Sequence, residues 1–194
     1  MTTEHPLLAC CHPLHDSSSL NRRRFIQLAA LGGGVALLRL AQAATGHDAT
    51  PSGAATAHTA EALLLSCMDY RLIDDIAKYM DGRGLTDQYD HVVLAGASLG
   101  AVTKTFKDWN KAFWDHLKVA IDLHHINLVI LMDHRDCGAY KVILKTDFSK
   151  DPLLEERVHG KYLRELAQAI GKRYPKLEVE MLLMNLDGTV QTIL

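Results

Sequence analysis

The chain has 194 residues, 48% of them hydrophobic, and a formal net charge of -2 at pH 7. This length and composition fit one ordinary soluble α/β domain with extensions. Its 21 Lys+Arg are balanced by 23 Asp+Glu, and the one dense basic run is confined to the N-terminus. Nucleic-acid binders usually carry a basic face or stripe, so the charge pattern excludes this class and we expect no nucleic-acid partner.

The N-terminal segment has the three parts of an export signal. Arginines occupy positions 22–24, an apolar stretch extends to Leu40, and small residues follow and end at Ala43. The paired arginine ahead of Phe25 is typical of the twin-arginine route. We therefore predict that residues 1–43 are a twin-arginine signal cleaved after Ala43, and that the mature protein is periplasmic or otherwise exported, with no stable membrane insertion. A retained anchor is the alternative, but three glycines and an arginine make the stretch less apolar than a spanning helix of about 20 residues.

The next segment, residues 44–60, is rich in Ala, Thr, Gly and Ser. It has too little bulky apolar surface to offset the entropy cost of ordering the chain. We predict a flexible linker here. The folded domain then covers residues 61–194, which is long enough for one hydrophobic core.

Four short apolar runs in this domain predict strands. They are flanked by Gly, Asp or Pro and are typical of buried parallel strands. The runs cover residues 62–66, 91–94, 126–132 and 179–184.

Helical patterns separate these runs. Apolar residues follow helical spacing over 72–80, and a second apolar series, predicted to lie in the core, repeats every four residues from Trp109 through Phe113 to Ile121. A last helix should begin with Asp151 as its N-cap and end by Pro175. The alternation predicts an α/β fold with a central, mostly parallel sheet flanked by helices and joined by right-handed crossovers.

Two cysteines and a histidine follow strand ends in this scheme. Cys67 comes after the first predicted strand, and His134 and Cys137 come after the third. Open α/β sheets build their sites at the carboxyl ends of strands. Thiolate and imidazole are preferred ligands of Zn²⁺, and three protein ligands with an open fourth position are typical of catalytic zinc. For all three to reach one metal, the first and third strands must be neighbours, which predicts the strand order 2-1-3-4.

The same two cysteines allow other interpretations. In an oxidising compartment, a pair of thiols can form a disulfide, and a thiol-disulfide protein would link Cys67 to Cys137 without a metal. Neither cysteine lies in a Cys-x-x-Cys pair, which argues against this alternative.

The residues around these ligands form two half-motifs, Cys-x-Asp-x-Arg at 67–71 and His-x-x-Cys-Gly at 134–138. In this order they resemble the hallmark of the β-class carbonic anhydrases, and the similarity extends across the whole domain. The resemblance implies reversible hydration of CO₂ to bicarbonate by zinc-bound hydroxide, with CO₂ and bicarbonate as the small-molecule substrates. It implies a Cys₂His zinc site, here Cys67, His134 and Cys137, and a homodimer or larger homo-oligomer.

Asp69 and Arg71 are the predicted catalytic residues. The resemblance suggests that Asp69 either occupies the fourth position of the metal or accepts a hydrogen bond from water there. Arg71 is a planar, permanently charged fork that can hold a carboxylate with two hydrogen bonds. We hypothesise that Arg71 keeps Asp69 off the metal, the alternative being a loop salt bridge without catalytic role. Asp136, beside Cys137, is either an acceptor that tunes the site or a solvated loop carboxylate.

The chain departs from the family pattern near the expected pocket. Many members have an Arg-Asn pair where this chain has Val93 and Leu94, and Met68 and Tyr70 replace small hydroxyl residues. An apolar lining suits a small uncharged molecule, which keeps hydrolysis of carbonyl sulfide or carbon disulfide as an alternative. A zinc-binding homologue without catalysis, with Asp69 permanently on the metal, is the other alternative.

Overall fold

The computed structural model describes residues 58–194. The predicted export signal, 1–43, and residues 44–57 of the predicted linker lie outside the described residues. Ala60 already donates a backbone hydrogen bond of 3.0 Å to the carbonyl oxygen of His124. Across residues 58–194, every helix is too short or too polar to cross a bilayer.

The described chain forms one sheet of five strands in the order β2-β1-β3-β4-β5. The strands are β1 (Ala62–Ser66), β2 (Tyr89–Val93), β3 (Leu128–His134), β4 (Glu178–Met184) and β5 (Val190–Thr192). The first four pair in parallel, which confirms the predicted fold and the order 2-1-3-4. The short β5, which the sequence did not predict, pairs antiparallel with β4.

Five α-helices connect and cover these strands. They are α1 (Ile73–Gly82), α2 (Ala97–Val102), α3 (Lys107–Val119), α4 (Gly138–Leu144) and α5 (Pro152–Arg173). A 3₁₀ turn, Tyr70–Leu72, precedes α1, and a π-helical turn, Ala120–His124, extends α3. The predicted start of α5 is confirmed, because the Asp151 side chain accepts a hydrogen bond of 2.9 Å from the backbone N–H of Leu154.

Both faces of the central strands β1 and β3 are buried, as expected for parallel strands with crossover helices. On one face, Leu63 and Leu65 of β1 pack with residues of α3 and α5, among them Phe113 and Leu163. On the other face, Leu64 packs with residues of α1. Burial on both faces explains why β1 reads as a continuous apolar run rather than an alternating one.

The pairing of β1 with β3 positions the candidate site. Ala62 pairs with Leu128 and Ser66 with Met132, so β3 continues for two residues beyond the end of β1. Cys67, the first residue after β1, therefore lies beside the end of β3. The prediction ended this strand at 132, two residues before its last residue, His134.

Candidate metal centre

Three predicted ligands meet at the carboxyl edge of the sheet. Cys67 follows β1, His134 is the last residue of β3, and Cys137 is the N-cap residue of α4. Their ligand atoms lie within 4.8 Å of one another. The two Sγ atoms are 3.8 Å apart, and both cysteines of the described chain are free thiols. Residues that are 70 positions apart in the sequence are thus brought together by the pairing of β1 with β3.

His134 presents a free nitrogen to this cluster. Its Nδ1 lies 2.8 Å from the backbone carbonyl oxygen of Arg135, which can only accept, so Nδ1 carries the proton. Nε2 is buried and has no hydrogen-bond partner among the described residues. A buried polar atom without a partner is costly and uncommon. A histidine whose second nitrogen is oriented by a backbone carbonyl is typical of a metal ligand, so this orphaned atom fits a bound cation.

The surroundings of the two sulfur atoms favour negative charge on Cys67. The pKa of this thiol is lowered to about 4, chiefly by the hydrogen bond from the thiol of Cys137, with contributions from His134 and from the backbone N–H of Gly96. That N–H lies 3.3 Å from Cys67 Sγ. The same contact with Cys67, together with burial, raises the pKa of Cys137. Zn²⁺ binds thiolate, so a donor set that already stabilises one thiolate fits this metal.

Asp69 and Arg71 form the predicted pair beside the cluster. Arg71 Nε donates to Asp69 Oδ1 at 2.9 Å, and Nη2 donates to Oδ2 at 2.8 Å. These hydrogen bonds lower the pKa of Asp69 to about 2. Asp69 Oδ2 also lies 3.8 Å from His134 Nε2. A charged carboxylate is therefore held next to the ligand atoms by a two-pronged contact with Arg71.

Asp136, whose place the sequence left open, contacts the same arginine. Arg71 Nη1 donates to Asp136 Oδ2 at 2.9 Å, and Nη2 donates to the backbone carbonyl oxygen of Asp136 at 3.0 Å. Asp136 is a partly exposed loop carboxylate that also connects Arg71 to the loop between His134 and Cys137.

A cavity of about 390 Å³ opens beside the cluster and is lined mainly by apolar groups. Its lining residues are Cys67, Met68, Asp69, Tyr70, Ala95, Phe106, Trp109, Gly138, Ala139, Val142 and Ile143. Trp109 was predicted to be a core residue, and this is wrong: it is half-buried and stacks on Phe106 with ring centroids 4.1 Å apart. Phe113, one turn further along α3, is fully buried as predicted. The spacing of four was correct, but the first position of the series lies at the cavity rather than in the core.

Sequence reasoning missed a buried polar network directly behind the site. The Asp133 carboxylate accepts hydrogen bonds from Ser98 Oγ at 2.7 Å and Tyr140 Oη at 2.5 Å, and it lies 2.8 Å from His159 Nδ1. All four residues are buried, and they belong to β3, α2, α4 and α5. The available signal was a charged residue at the end of an apolar strand, immediately before a predicted ligand.

Comparison with known proteins places the described domain in a family. Residues 57–194 match a family described as "Putative carbonic anhydrase". An uncharacterized protein of Rickettsia bellii (strain RML369-C) is 38% identical over 138 residues, which cover 71% of this chain and 84% of that protein. An uncharacterized protein of Rickettsia conorii (strain ATCC VR-613 / Malish 7) is 37% identical over 138 residues, or 71% of this chain and 74% of that protein.

Among solved structures, β-carbonic anhydrase isoform I of Trichomonas vaginalis matches with a TM-score of 0.48 and 15% sequence identity, covering 72% of this chain and 85% of that chain. The family match covers both half-motifs and every strand of the sheet. The chain belongs to the family described as putative carbonic anhydrase.

Proposed function

We propose that this protein catalyses the zinc-dependent, reversible hydration of CO₂ to bicarbonate. The observation that carries the proposal is the convergence of Cys67 Sγ, Cys137 Sγ and the unpartnered His134 Nε2 within 4.8 Å of one another. This cluster lies at the carboxyl edge of the sheet and next to a cavity. Membership of the carbonic anhydrase family supports the same reaction.

Cys67, His134 and Cys137 would hold the zinc. When bound, Zn²⁺ would lower the pKa of a coordinated water and so supply a nucleophile, although two thiolate ligands would make the pKa higher than the value of about 7 found with three histidines. The chain prepares the ligands: the Gly96 N–H orients Cys67 Sγ, and the Arg135 carbonyl fixes the His134 tautomer.

We propose that the Asp69 carboxylate is the hydrogen-bond acceptor of the site and that Arg71 holds it in position. The carboxylate keeps its charge at neutral pH because Arg71 donates to both of its oxygen atoms. Its Oδ2 is directed towards the cluster, 3.8 Å from His134 Nε2. From this position Asp69 can accept a hydrogen bond from a group bound at the cluster while Arg71 keeps it from entering the ligand set.

The cavity supports an uncharged substrate. Apart from Asp69 and the Cys67 thiolate, its lining residues in the described chain carry no charge, and aromatic and aliphatic side chains form most of its wall. Such a lining suits a small apolar molecule such as CO₂, and the lining residues of the described chain include no cationic side chain that would retain the charged product bicarbonate.

The proposal is tested by stopped-flow measurement of CO₂ hydration by the zinc-loaded full chain, with Asp69→Ala as the matched control. We expect hydration well above the buffer rate in the wild type and a loss of about 100-fold in the control, the size typical of removing a proton-accepting group. A zinc-replete wild type that is inert at every pH from 6 to 9 would overturn the proposal.

Hydrolysis of carbonyl sulfide or carbon disulfide is the second candidate. The specific observation in its favour is the stacked pair Phe106 and Trp109, which gives the cavity a polarizable wall suited to sulfur-containing molecules. The two candidates predict different ratios of the hydrolysis rate to the CO₂ hydration rate. Measuring sulfide release and CO₂ hydration with the same protein gives this ratio and separates them. A non-catalytic zinc protein would need Asp69 on the metal, and the two-pronged contact with Arg71 argues against that arrangement.

Export and self-association complete the proposal. We propose that residues 1–43 direct the protein out of the cytoplasm, which N-terminal sequencing of the exported protein tests.

We also propose a homodimer or larger assembly, since Met68, Tyr70, Ile73 and Val142 around the site are exposed apolar side chains. Sedimentation analysis tests it, and a monomer at micromolar concentration would contradict it.

A further inference from the structure

Asp136 has an unusual backbone conformation in the middle of residues 134–137, here called the ligand loop. It lies between His134 and Cys137, and its φ angle is 54°, in the left-handed region. Residues other than glycine rarely occupy this region, although aspartate tolerates it better than most. Such a conformation costs free energy and persists where the surrounding contacts enforce it, often at functional sites.

Each polar group of Asp136 is engaged by a neighbour. Its backbone N–H donates to Glu155 Oε1 at 2.7 Å, and Glu155 is itself buried in the first turn of α5. Its carbonyl oxygen accepts from Arg71 Nη2 at 3.0 Å, and its carboxylate accepts from Arg71 Nη1 at 2.9 Å. The second carboxylate oxygen lies 4.0 Å from Lys141 Nζ. Glu155 of α5 thus fixes the backbone of Asp136, and the carbonyl and carboxylate oxygen atoms of Asp136 both contact Arg71.

For Arg71, the consequence is that two aspartates share its guanidinium. Two hydrogen bonds go to the Asp69 carboxylate and two to Asp136. The pair of Asp69 and Arg71 alone spans two residues of an exposed turn, and the Arg71 side chain is 34% exposed. Solvent screening weakens a pair at this partly exposed position, so a further contact to Arg71 strengthens its hold on Asp69. Asp136 adds the only tie, among the described residues, between Arg71 and the loop that carries two of the three proposed ligands.

We propose that Asp136 is a positioning residue of this site. It anchors the Arg71 fork to the ligand loop and so keeps Asp69 beside the cluster rather than in it. The inference rests on the proposed function. Its physical basis is that Asp69 Oδ2 is already 3.8 Å from His134 Nε2, so a small rotation brings this oxygen among the ligand atoms once Arg71 is free to move.

The first test removes the carboxylate without straining the backbone. Asp136→Gly keeps the carbonyl oxygen and adopts a left-handed φ without cost, so the fold is retained. We expect zinc content to stay at the wild-type level and CO₂ hydration by the full chain to fall by about 10- to 100-fold, the range typical of partners that orient a metal site. Asp136→Asn, which keeps an acceptor oxygen, should recover most of this loss.

A matched control and a second background make the test specific. Asp147 is also an exposed carboxylate beside Lys141, at 3.2 Å, but makes no hydrogen bond to Arg71 in the described structure, so Asp147→Ala should leave the rate unchanged. In an Arg71→Ala background, Asp136→Gly should cause no further loss, because its effect passes through Arg71. A loss of equal size in that background would contradict the proposal.

The second readout needs no turnover. In the Co²⁺-loaded protein, visible absorption reports the donor atoms around the metal. Asp136→Gly should change this spectrum. In an Asp69→Asn background, the same Asp136→Gly substitution should leave the spectrum unchanged. An Asp136→Gly protein that keeps the wild-type cobalt spectrum would overturn the inference. A wild type inert towards CO₂ whose cobalt spectrum still depends on Asp136 would overturn the proposed function while supporting this inference.

Discussion

Asp69 is the residue on which the proposed chemistry depends most closely, and its behaviour is set by Arg71. The carboxylate accepts from both Nε and Nη2 of the guanidinium and from the backbone N–H of Arg71 at 3.1 Å. These contacts lower its pKa to about 2, so it is charged throughout the range in which the enzyme would work. A charged carboxylate 3.8 Å from His134 Nε2 is itself a potential metal ligand. We propose that the hydrogen bonds from Arg71 keep this carboxylate out of the fourth position of a bound metal.

Replacing Arg71 tests this hold. We expect Arg71→Ala to retain one zinc per chain, because the three proposed ligands are untouched, but to lose CO₂ hydration by at least about tenfold. Arg71→Lys keeps the positive charge but not the planar fork, so it should recover little of the rate. Zinc content by atomic absorption and stopped-flow hydration measure the two effects. Full activity in Arg71→Ala would show that the pair is only a loop salt bridge.

At the scale of elements, α2 connects the sheet to the ligand cluster. Gly96, its N-cap residue, has a φ of 75° and donates to Cys67 Sγ. Ser98 in its first turn is bonded to Asp133 of β3. Gly100 lets the helix approach the preceding segment, because a Cβ at this position would lie 2.5 Å from the carbonyl oxygen of Ala95. The close packing of this short helix thus places a donor against one proposed ligand.

Adding one methyl group to α2 should disturb both stability and the site. We expect Gly100→Ala to lower the free energy of unfolding by about 1–3 kcal/mol, the usual cost of overpacking. Gly171→Ala in α5 is the control: outside its own helix, a Cβ there meets no atom of the described chain within 4 Å. It should raise the free energy of unfolding by about 0.5–1 kcal/mol through the better helix propensity of alanine. Urea unfolding measures both, and equal stability of the two variants would contradict this account of α2.

The sequence predicted the long elements well and the short ones poorly, for physical reasons. Apolar runs predicted the four parallel strands, although β2 covers Tyr89–Val93 rather than 91–94, and Asp151 predicted the N-cap of α5. Helices α2 and α4 have six and seven residues, too few for a helical period to stand out, and β5 has three. The strand β3 was ended too early because Asp133 and His134 are polar. The hydrogen bonds that satisfy Asp133 come from residues distant in the sequence, and no local pattern reveals them.

At the scale of the whole molecule, the site exists only when the sheet is formed. Cys67 and Cys137 are 70 residues apart and meet because β1 and β3 pair in parallel register. The two half-motifs were therefore sufficient to predict that Cys67, His134 and Cys137 lie close together, and with them the strand order. The partners of Asp136 and the cavity wall at Trp109 depend on loop and helix packing, so they could not be predicted in the same way. Because the proposed ligands converge only in the folded chain, zinc should raise the free energy of unfolding in addition to enabling CO₂ hydration.

The measurement that tests the central claim most directly is a zinc titration of the metal-free protein, followed by CO₂ hydration at each step. The hydration rate should rise in proportion to added Zn²⁺ and level off at one equivalent per chain, with the melting temperature rising over the same range. Mg²⁺ should have no effect, because thiolate and imidazole ligands favour Zn²⁺. Full hydration by the metal-free protein, or no hydration after one equivalent of zinc is bound, would contradict a zinc-dependent carbonic anhydrase.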